Sequence, residues 1–449
     1  MAVPAADASA GTTRPPDREL GDVLKQIRPY PQVTVTRKAA RSLAGGHPWV
    51  FEGEVVRVDP APSDGTPVTN GCLVDVVEEN GTWQGTGLIS QQSKIRVRIL
   101  SRNANDRFDD AFWRRRISWA WQHRVSTMGS RALPGTAPDI DACRVIFSEA
   151  DGLPGLTVDR YGQVLVAQIG TVGMELLRDR LYPLLLEVLQ QDGQDVRAIY
   201  ERCDSPVRER EGLPLRKGWW DGASTLDTRI VVQENGLSFG LDLENSQKTG
   251  FFLDQKYNRR AVREIAAGRR VLDCFCHVGP FGLNAAAGGA ELVRCVDVSK
   301  TAIELAAQNA KLNNLDERMS FTCANVLEYL PALRSDRNYL RQEGGPFDLI
   351  VLDPPAFTKS SSTVRNAARG YKEINFEALR LLPRGGYLAT CSCSQHMTRD
   401  LLARAVAEAA HDANVQLKQV EERQQAPDHP ILWGFPPSHY LDFFVFQVV

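Results

Sequence analysis

The sequence predicts an α/β protein whose C-terminal half is a doubly wound, mostly parallel sheet, preceded by a small β-barrel-like unit and an α+β middle unit. Three observations predict it. From about residue 230, apolar strand-like runs alternate with helical stretches, the βαβ pattern of a parallel sheet covered on both faces. The series ends on two strand-like runs, 415–420 and 440–448, with no helix between them, so the last strand is expected to run antiparallel. Before residue 104 the chain is instead a string of short β-prone stretches separated by Gly45-Gly46, Asp64-Gly65 and Asn80-Gly81.

Taken in order, the first unit, 33–103, holds six such stretches: 33–35, 47–51, 54–58, 72–77, 86–90 and 94–100. That density implies a small β-barrel. In the last stretch Arg96 and Arg98 alternate with Val97 and Ile99, which puts both arginines on one face. The middle unit, 104–228, begins with a helix over 109–127 that carries Arg114, Arg115 and Arg116. Strand, turn, strand, turn, strand follow over 145–170, punctuated by Asp151-Gly-Leu-Pro-Gly155 and Tyr161-Gly162. A helix over 174–189 and a strand over 197–201 complete it. The third unit, 229–449, has strands expected at 270–276, 292–297, 320–323, 347–353 and 387–394 before the terminal pair, seven in all. Helices are expected at 281–287, 300–313, 371–382 and 399–411.

Composition narrows the class. The 449 residues are 43% hydrophobic and 24% charged, the balance of a globular protein of two or three domains. No apolar run approaches the ~18 residues a membrane helix needs, so no membrane partner is expected. The leader, 1–32, is rich in Ala, Pro and Thr, lacks an apolar core and carries Asp7, Asp17, Glu19 and Asp22; it reads as disordered rather than as a signal or transit peptide. The nine cysteines are odd in number and sit mostly in apolar runs, which suits a reducing cytoplasm better than a disulfide scaffold. With a net charge of −2, nucleic-acid binding would have to come from a local patch. One is visible: between residues 84 and 124 nine basic residues, among them Arg96, Arg98, Arg114, Arg115, Arg116 and Arg124, face three acidic ones. Arg114 to Arg116 could equally be a solvated helix face.

The chemistry-bearing residues fall at expected strand ends. Asp273-Cys-Phe275-Cys-His-Val-Gly279 runs from a buried strand into a glycine turn and helix, where open α/β sheets bind cofactors. Asp297, 24 residues after Asp273 and at the end of the next strand, can accept both ribose hydroxyls of a nucleoside. Asn325 follows the third strand, within reach of an adenine or as a plain loop residue. Asp353-Pro354-Pro355 ends the fourth strand, and prolines that cannot continue the ladder hold Asp353 at a rigid tip. Cys391 and Cys393 end the fifth strand and share a face, so alternation does not choose between them; Cys393 is nearer the crevice. One Cys and one Asp on neighbouring tips meet the needs of pyrimidine carbon methylation: a thiolate adds to C6, C5 becomes nucleophilic, and an acid at N3 assists. No ligand set has zinc spacing, and no metal is expected.

With these residues in hand the chain resembles the bacterial large-subunit (23S) ribosomal RNA 5-methylcytosine methyltransferase I family. The matching motifs are His47-Pro-Trp-Val-Phe51, Ser148-Glu-Ala-Asp-Gly-Leu-Pro-Gly155, Lys248-Thr-Gly-Phe-Phe-Leu-Asp-Gln255, Asp353-Pro-Pro355, Arg369-Gly-Tyr-Lys372, Ser392-Cys-Ser394 and Asp428-His-Pro430. The resemblance implies a PUA RNA-binding domain, a β-rich middle domain and a Rossmann-like class I methyltransferase domain using S-adenosyl-L-methionine. It implies Cys393 as the nucleophile, aided by Asp353. Cofactor contacts would come from Asp273, Phe275, Gly279, Asp297, Asn325, Asp353 and Pro354. Ribosomal RNA is the implied partner, with contacts at Lys248, Arg96, Arg98 and Arg114 to Arg116; a homodimer stays open. The chain departs from the family's pattern at His277-Val-Gly-Pro280, at Asn325 and at Ala356. Amino-group methylation is the nearest rival, because Asp-Pro-Pro serves that chemistry without a cysteine. A catalytically inactive RNA-binding protein is another.

Overall fold

The computed structural model describes residues 28–222, 226–245, 249–358 and 360–449. The expected leader lies outside the described residues as far as residue 27. Beyond that point the chain is fastened to the first sheet rather than disordered: Arg28 Nε donates to Asp75 Oδ2 at 2.7 Å and Nη2 to Thr86 Oγ1 at 2.9 Å.

The first sheet contains β1 (Gln32–Val35), β2 (Trp49–Phe51), β3 (Val55–Asp59), β4 (Leu73–Glu78), β5 (Trp83–Ile89) and β6 (Ile95–Ser101), in the order β2-β6-β5-β4-β1-β3. A short helix absent from the expectation, α1 (Arg37–Ala44), begins where Thr36 Oγ1 accepts from the Ala39 amide at 3.3 Å. It buries Ala39, Ala40 and Leu43 against this sheet. Two alanines and a leucine make too thin an apolar stripe to announce a helix.

The middle unit comprises α2 (Asp110–Met128), β7 (Ala142–Phe147), β8 (Leu156–Tyr161), β9 (Val164–Ile169), α3 (Val172–Gln191), β10 (Ala198–Cys203) and β11 (Arg216–Trp219), with strands ordered β11-β10-β9-β8-β7. Asp109 caps α2 by accepting from Phe112 N at 3.0 Å. Alternation along β9 divides two cores: Leu165 and Ala167 pack with the helices α2 and α3, whereas Val164 and Val166 pack with the third unit. The sheet is a wall between two apolar interiors, which is why its strands read as continuous apolar runs.

The third unit opens with a hairpin, β12 (Arg229–Glu234) and β13 (Leu237–Asp242), closed by Asn235 and Gly236 at φ +54° and +75°, the two-residue turn that Asn-Gly favours. There follow α4 (Lys256–Ile265), β14 (Arg270–Cys274), α5 (Pro280–Ala287), β15 (Leu292–Asp297), α6 (Lys300–Leu312), β16 (Met319–Cys323), α7 (Val326–Ser335), α8 (Arg337–Gln342), β17 (Leu349–Leu352), α9 (Val364–Leu381), β18 (Tyr387–Ser392), α10 (Arg399–Ala413), β19 (Leu417–Gln424) and β20 (Asp442–Val448). Their sheet has the order β16-β15-β14-β17-β18-β20-β19, and β20 is antiparallel to both neighbours. This is the seven-stranded, mostly parallel sheet that the sequence predicts. Val271, Leu349, Val351, Ala389 and Cys391 fill the core on one face, with α4 and α5; Leu272, Ile350, Leu352 and Leu388 fill the other, with α7, α9 and α10. Strand order reverses at β14, so the carboxyl ends of β14 and β17 open a crevice there. Among the described residues no helix is long and apolar enough to cross a membrane.

Candidate active site

The loop from β14 to α5 is bent by left-handed residues: Phe275 at φ +62°, His277 at +50° and Gly279 at +82°. Only the glycine adopts that region without strain, so the surroundings hold the other two there. A Cβ on Gly279 would stand 3.1 Å from Ala306 Cβ, and one on Gly282 would stand 2.5 Å from Cys295 Sγ. The start of α5 is thus drawn close to the sheet, where Gly282 N donates to Asp273 Oδ2 at 2.8 Å. Asp273 is fully buried, and its Oδ1 has no hydrogen-bond partner among the described residues. Burial pushes this carboxyl up to about 8, against the Gly282 amide and helped by the charges of Asp353 and Asp297. Asp297, half-buried at the end of β15, accepts from His277 N and from Ser299 N, each at 2.9 Å, and both oxygens retain capacity for another donor. The buried Nδ1 of His277 also lacks a partner. Orphaned acceptors beside a glycine-narrowed loop suit a ligand that brings hydroxyl or amino donors.

Asn325 stands between β16 and α7. It is exposed and caps α7, accepting from Leu327 N at 3.1 Å while its Nδ2 donates to Glu328 Oε1 at 3.0 Å. Its amide thus engages the helix start on both its oxygen and its nitrogen.

Across the switch point, Leu352 pairs with Thr390, so Asp353 and the Cys391 to Cys393 segment leave adjacent strands side by side. Ser392 points the other way and donates to Tyr371 Oη on α9 at 3.0 Å. Cys391 is fully buried; its thiol donates to Leu352 O at 3.4 Å and accepts from Gln255 Nε2 at 3.5 Å. Burial holds that thiol well above the usual range, and the Asp353 charge raises it further. Cys393 is half-buried, with Sγ 3.7 Å from Pro354 O. The two cysteines that alternation leaves equivalent are separated by their surroundings. Asp353 Oδ1 accepts from Gln255 Nε2 at 3.1 Å, and burial pushes this carboxyl up to about 6, opposed by the Cys391 thiol and the Arg259 charge. Thiol and carboxylate therefore share one face at neighbouring tips. The other Cys-x-Cys pair is divided, with Cys274 and Cys276 in different cores.

Beside Cys393 the middle sheet closes a cavity of about 360 Å³, lined by Arg144 and Phe147 of β7, by Phe252 and Asp254, and by His429 and Tyr440 from the β19–β20 loop. Its walls are clamped. Asp254 Oδ2 accepts from Tyr440 Oη at 2.7 Å. Lys256 Nζ donates to Asp139 O at 2.6 Å and to Ala142 O at 2.5 Å, tying α4 to the middle unit. Arg124, fully buried, makes a bidentate pair with Asp151 at 2.6 and 2.7 Å and donates to Asp428 O at 2.7 Å. Asp428 Oδ2 accepts from Arg144 N at 2.9 Å, and Oδ1 meets His429 Nδ1 at 2.8 Å. Gln255, His429 and Tyr440 carried no expected role; the first two lie inside quoted motifs, and that is the only signal the sequence offers for them.

The basic stripe is largely engaged internally. Arg98 is buried at the seam with the middle unit, 3.0 Å from Glu211 and 3.7 Å from Glu149, so the face it shares in the strand is not a solvent face. Arg124 is inside. Arg96 pairs with Glu52 at 2.6 Å, Arg114 with Glu187 at 2.6 Å and Arg115 with Asp106 at 2.8 Å. What faces outward is a hollow of about 450 Å³ lined by Arg102, Arg115, Arg116 and Trp119. Trp119 is 57% exposed, with the Arg115 and Arg116 guanidinium carbons 5.4 and 5.6 Å from its ring centre. Lys248 lies outside the described residues.

Residues 211–438 match the S-adenosylmethionine-dependent methyltransferase family, and residues 33–102 match the PUA-like domain family. Proteins named ribosomal RNA large subunit methyltransferase I from Shewanella amazonensis and Cronobacter sakazakii are 39% and 37% identical to the chain over 409 and 419 residues. The alignments cover 91% and 93% of this chain and 97% and 99% of those proteins. Among solved structures, a candidate S-adenosylmethionine-dependent methyltransferase from Streptococcus mutans superposes with a TM-score of 0.72 at 20% identity, covering 93% of this chain and all of that one. A candidate methyltransferase complexed with SAH gives 0.73 at the same identity and coverage of this chain; both speak to the fold. The orphaned Asp273 oxygen and the narrowed loop fit such a cofactor. Since the relatives run through all three units and the family match spans the crevice from Asp273 to Cys393, the chain belongs to the S-adenosylmethionine-dependent methyltransferases, in the branch that carries a PUA-like domain.

Proposed function

We propose that this methyltransferase methylates C5 of a cytosine in large-subunit ribosomal RNA, with Cys393 as nucleophile and Asp353 as acid. The observation that carries the reading is the pairing of a half-buried thiol with a carboxylate pushed up to about 6, on adjacent strand tips and one face of the sheet. S-adenosylmethionine, when bound, supplies a methyl group activated on a sulfonium. Asp297 would accept the ribose hydroxyls, Asp273 Oδ1 would accept a donor from the cofactor, and the loop through Phe275 and Gly279, with Pro354 opposite, would frame it.

The cysteine and the carboxylate divide the work. Cys393 adds to C6, and the C5=C6 electron pair becomes available at C5; N3 takes a proton from Asp353, whose raised pKa keeps that proton within reach near neutrality. C5 then takes the methyl group, N3 returns its proton to Asp353 as the C4=N3 double bond is restored, the C5 proton is lost and the thiolate leaves. Cys391 is unsuited to the attack, because burial keeps it protonated behind Gln255. A cavity of about 360 Å³ holds a single base with its sugar, so the cytosine must leave its stack to enter.

The names of the relatives and the PUA-like domain support ribosomal RNA as substrate, and a ribosomal RNA substrate in turn supports a cytoplasmic enzyme. The arginine-lined hollow at Trp119 supplies cations and an aromatic face for it, and Arg114 flanks the same helix. In this reading Arg98 braces the domain seam and does not meet RNA. The test is Cys393→Ala: methyl transfer to ribosomal RNA should be abolished while cofactor binding by calorimetry persists, and mass spectrometry of wild-type product should find 5-methylcytosine. Full turnover by the variant would favour amino-group chemistry.

A further inference from the structure

Carbon methylation of cytosine needs one more group. Once C5 has taken a methyl it still carries its hydrogen, and the ring regains its double bond only when that proton is removed. Asp353 is assigned to N3, and Cys393 is then a thioether, so neither serves.

The cavity beside Cys393 contains a histidine that nothing above employs. His429 is only 2% exposed and yet lines that cavity. Its Nδ1 lies 2.8 Å from Asp428 Oδ1, and its Nε2 has no hydrogen-bond partner among the described residues. Asp428 is fully buried; burial alone would raise its carboxyl, but the hydrogen bonds from His429 and from the Arg144 amide and the Lys256 charge hold it below the usual carboxylate range. An ionised acceptor at Nδ1 fixes the proton there and leaves a lone pair on Nε2. The rings of Phe147 and Tyr440, at centroid distances of 5.3 and 6.5 Å, hold the imidazole in place.

The side is also right. No residue of the 273–282 loop, nor Asp297, lines this cavity. A methyl group that reaches C5 from the cofactor tips turns the C5 hydrogen away from them. The remaining ionisable groups of the cavity are engaged elsewhere, Arg144 with Asp159 at 2.7 Å and Asp254 with Tyr440 at 2.7 Å.

We infer that His429 is the base that takes the C5 proton and that Asp428 is its positioning residue; the inference rests on the cytosine C5 reading. In this step the C5–H bond breaks and its proton goes to Nε2. The electron pair forms C5=C6, and the C6–S bond breaks with its pair leaving on Cys393.

The test uses the full-length enzyme, ribosomal RNA and labelled S-adenosylmethionine. His429→Gln should lose about 10²- to 10⁴-fold in turnover, the range general-base removal produces. It should also accumulate a denaturant-resistant protein–RNA adduct that carries the label and requires Cys393. Asp428→Asn should accumulate the same adduct to a smaller extent, and free imidazole should restore release to His429→Ala, which a merely structural role would not allow. RNA containing 5-fluorocytidine, which has no removable C5 proton, should trap wild type and His429→Gln alike. Failure to trap wild type would overturn the C5 reading and this inference together. Trapping of both, with release of ordinary RNA by His429→Gln at the wild-type rate, would overturn the inference alone. Loss of trapping by His429→Gln with cofactor binding intact would place His429 before adduct formation and overturn it as well.

Discussion

The two halves of the crevice are built on opposite principles. At the tips of β14 and β15, buried acceptors outnumber their partners: Asp273 Oδ1 and His277 Nδ1 have none among the described residues. At the tips of β17 and β18 the thiols and the carboxylate on the crevice face are occupied, Asp353 and Cys391 by Gln255 and Cys393 by the Pro354 carbonyl. An unsatisfied buried polar group costs stability until a ligand relieves it, so the first half exchanges stability for affinity. A group already held in place needs no reorganisation during reaction, so the second half is prepared before the substrate arrives. On the proposed reading, one sheet edge carries a site that its ligand completes next to one formed beforehand.

The largest effect that can break this contrast is at Asp353. Asp353→Asn should slow single-turnover methyl transfer by about 10²- to 10⁴-fold, the usual weight of general acid catalysis. The sign of the pH dependence follows from the carboxyl at about 6: the protonated donor predominates below that value and is lost as pH rises through it. Wild type should therefore show an alkaline-side decline near pH 6 in the acid-assisted step, and Asp353→Asn should lack it. An identical profile in both enzymes would mean that N3 receives its proton elsewhere and that the β17 tip is not preformed for this task.

The affinity side comes next. Removing two hydrogen bonds to a charged acceptor should weaken cofactor binding on the order of 10²-fold in Asp297→Ala. Asn325→Ala, in contrast, removes a helix cap worth about 1 kcal/mol of stability and should change affinity only slightly. Calorimetric titration of both variants separates the two positions. Equal losses would mean that the acceptor-rich region extends to β16.

The halves also differ in how legible they are. The β14 and β15 half is local: a buried strand, a glycine turn and a carboxylate one strand later all come from pattern, and each lies at its expected strand end. The β17 and β18 half is assembled from remote positions. Gln255 meets Asp353 across 98 positions, and Tyr440 meets Asp254 across 186. Motif reading finds Cys393 and Asp353 but gives His429 no task, because its character depends on Asp428 and on a cavity wall supplied by β7. The arginines mislead for the same reason. Alternation says that Arg96 and Arg98 share a face, but only tertiary structure reveals that Glu211, 113 positions away, covers Arg98. Short helices such as α1 and the six-residue α8 bury too few apolar residues to show a period.

The smallest effect tests whether Asp273 really stores an unsatisfied group. Its carboxyl sits at about 8 in the folded protein and at the ordinary 3.8 when unfolded, so the native state holds the proton more tightly. The sign follows: the native state is least burdened below 3.8, loses stability as pH rises from 3.8 towards 8, and levels off above. Asparagine carries no charge at any pH and can still accept from Gly282 N. Asp273→Asn should therefore gain on wild type steadily as pH rises from 5 to 8 in apo unfolding experiments, and no further above that. Saturating cofactor product should narrow that gain, because the ligand satisfies in wild type what the substitution removes. Parallel stability curves for the two proteins would show that the buried oxygen is already accommodated, and the two halves of the crevice would then be alike.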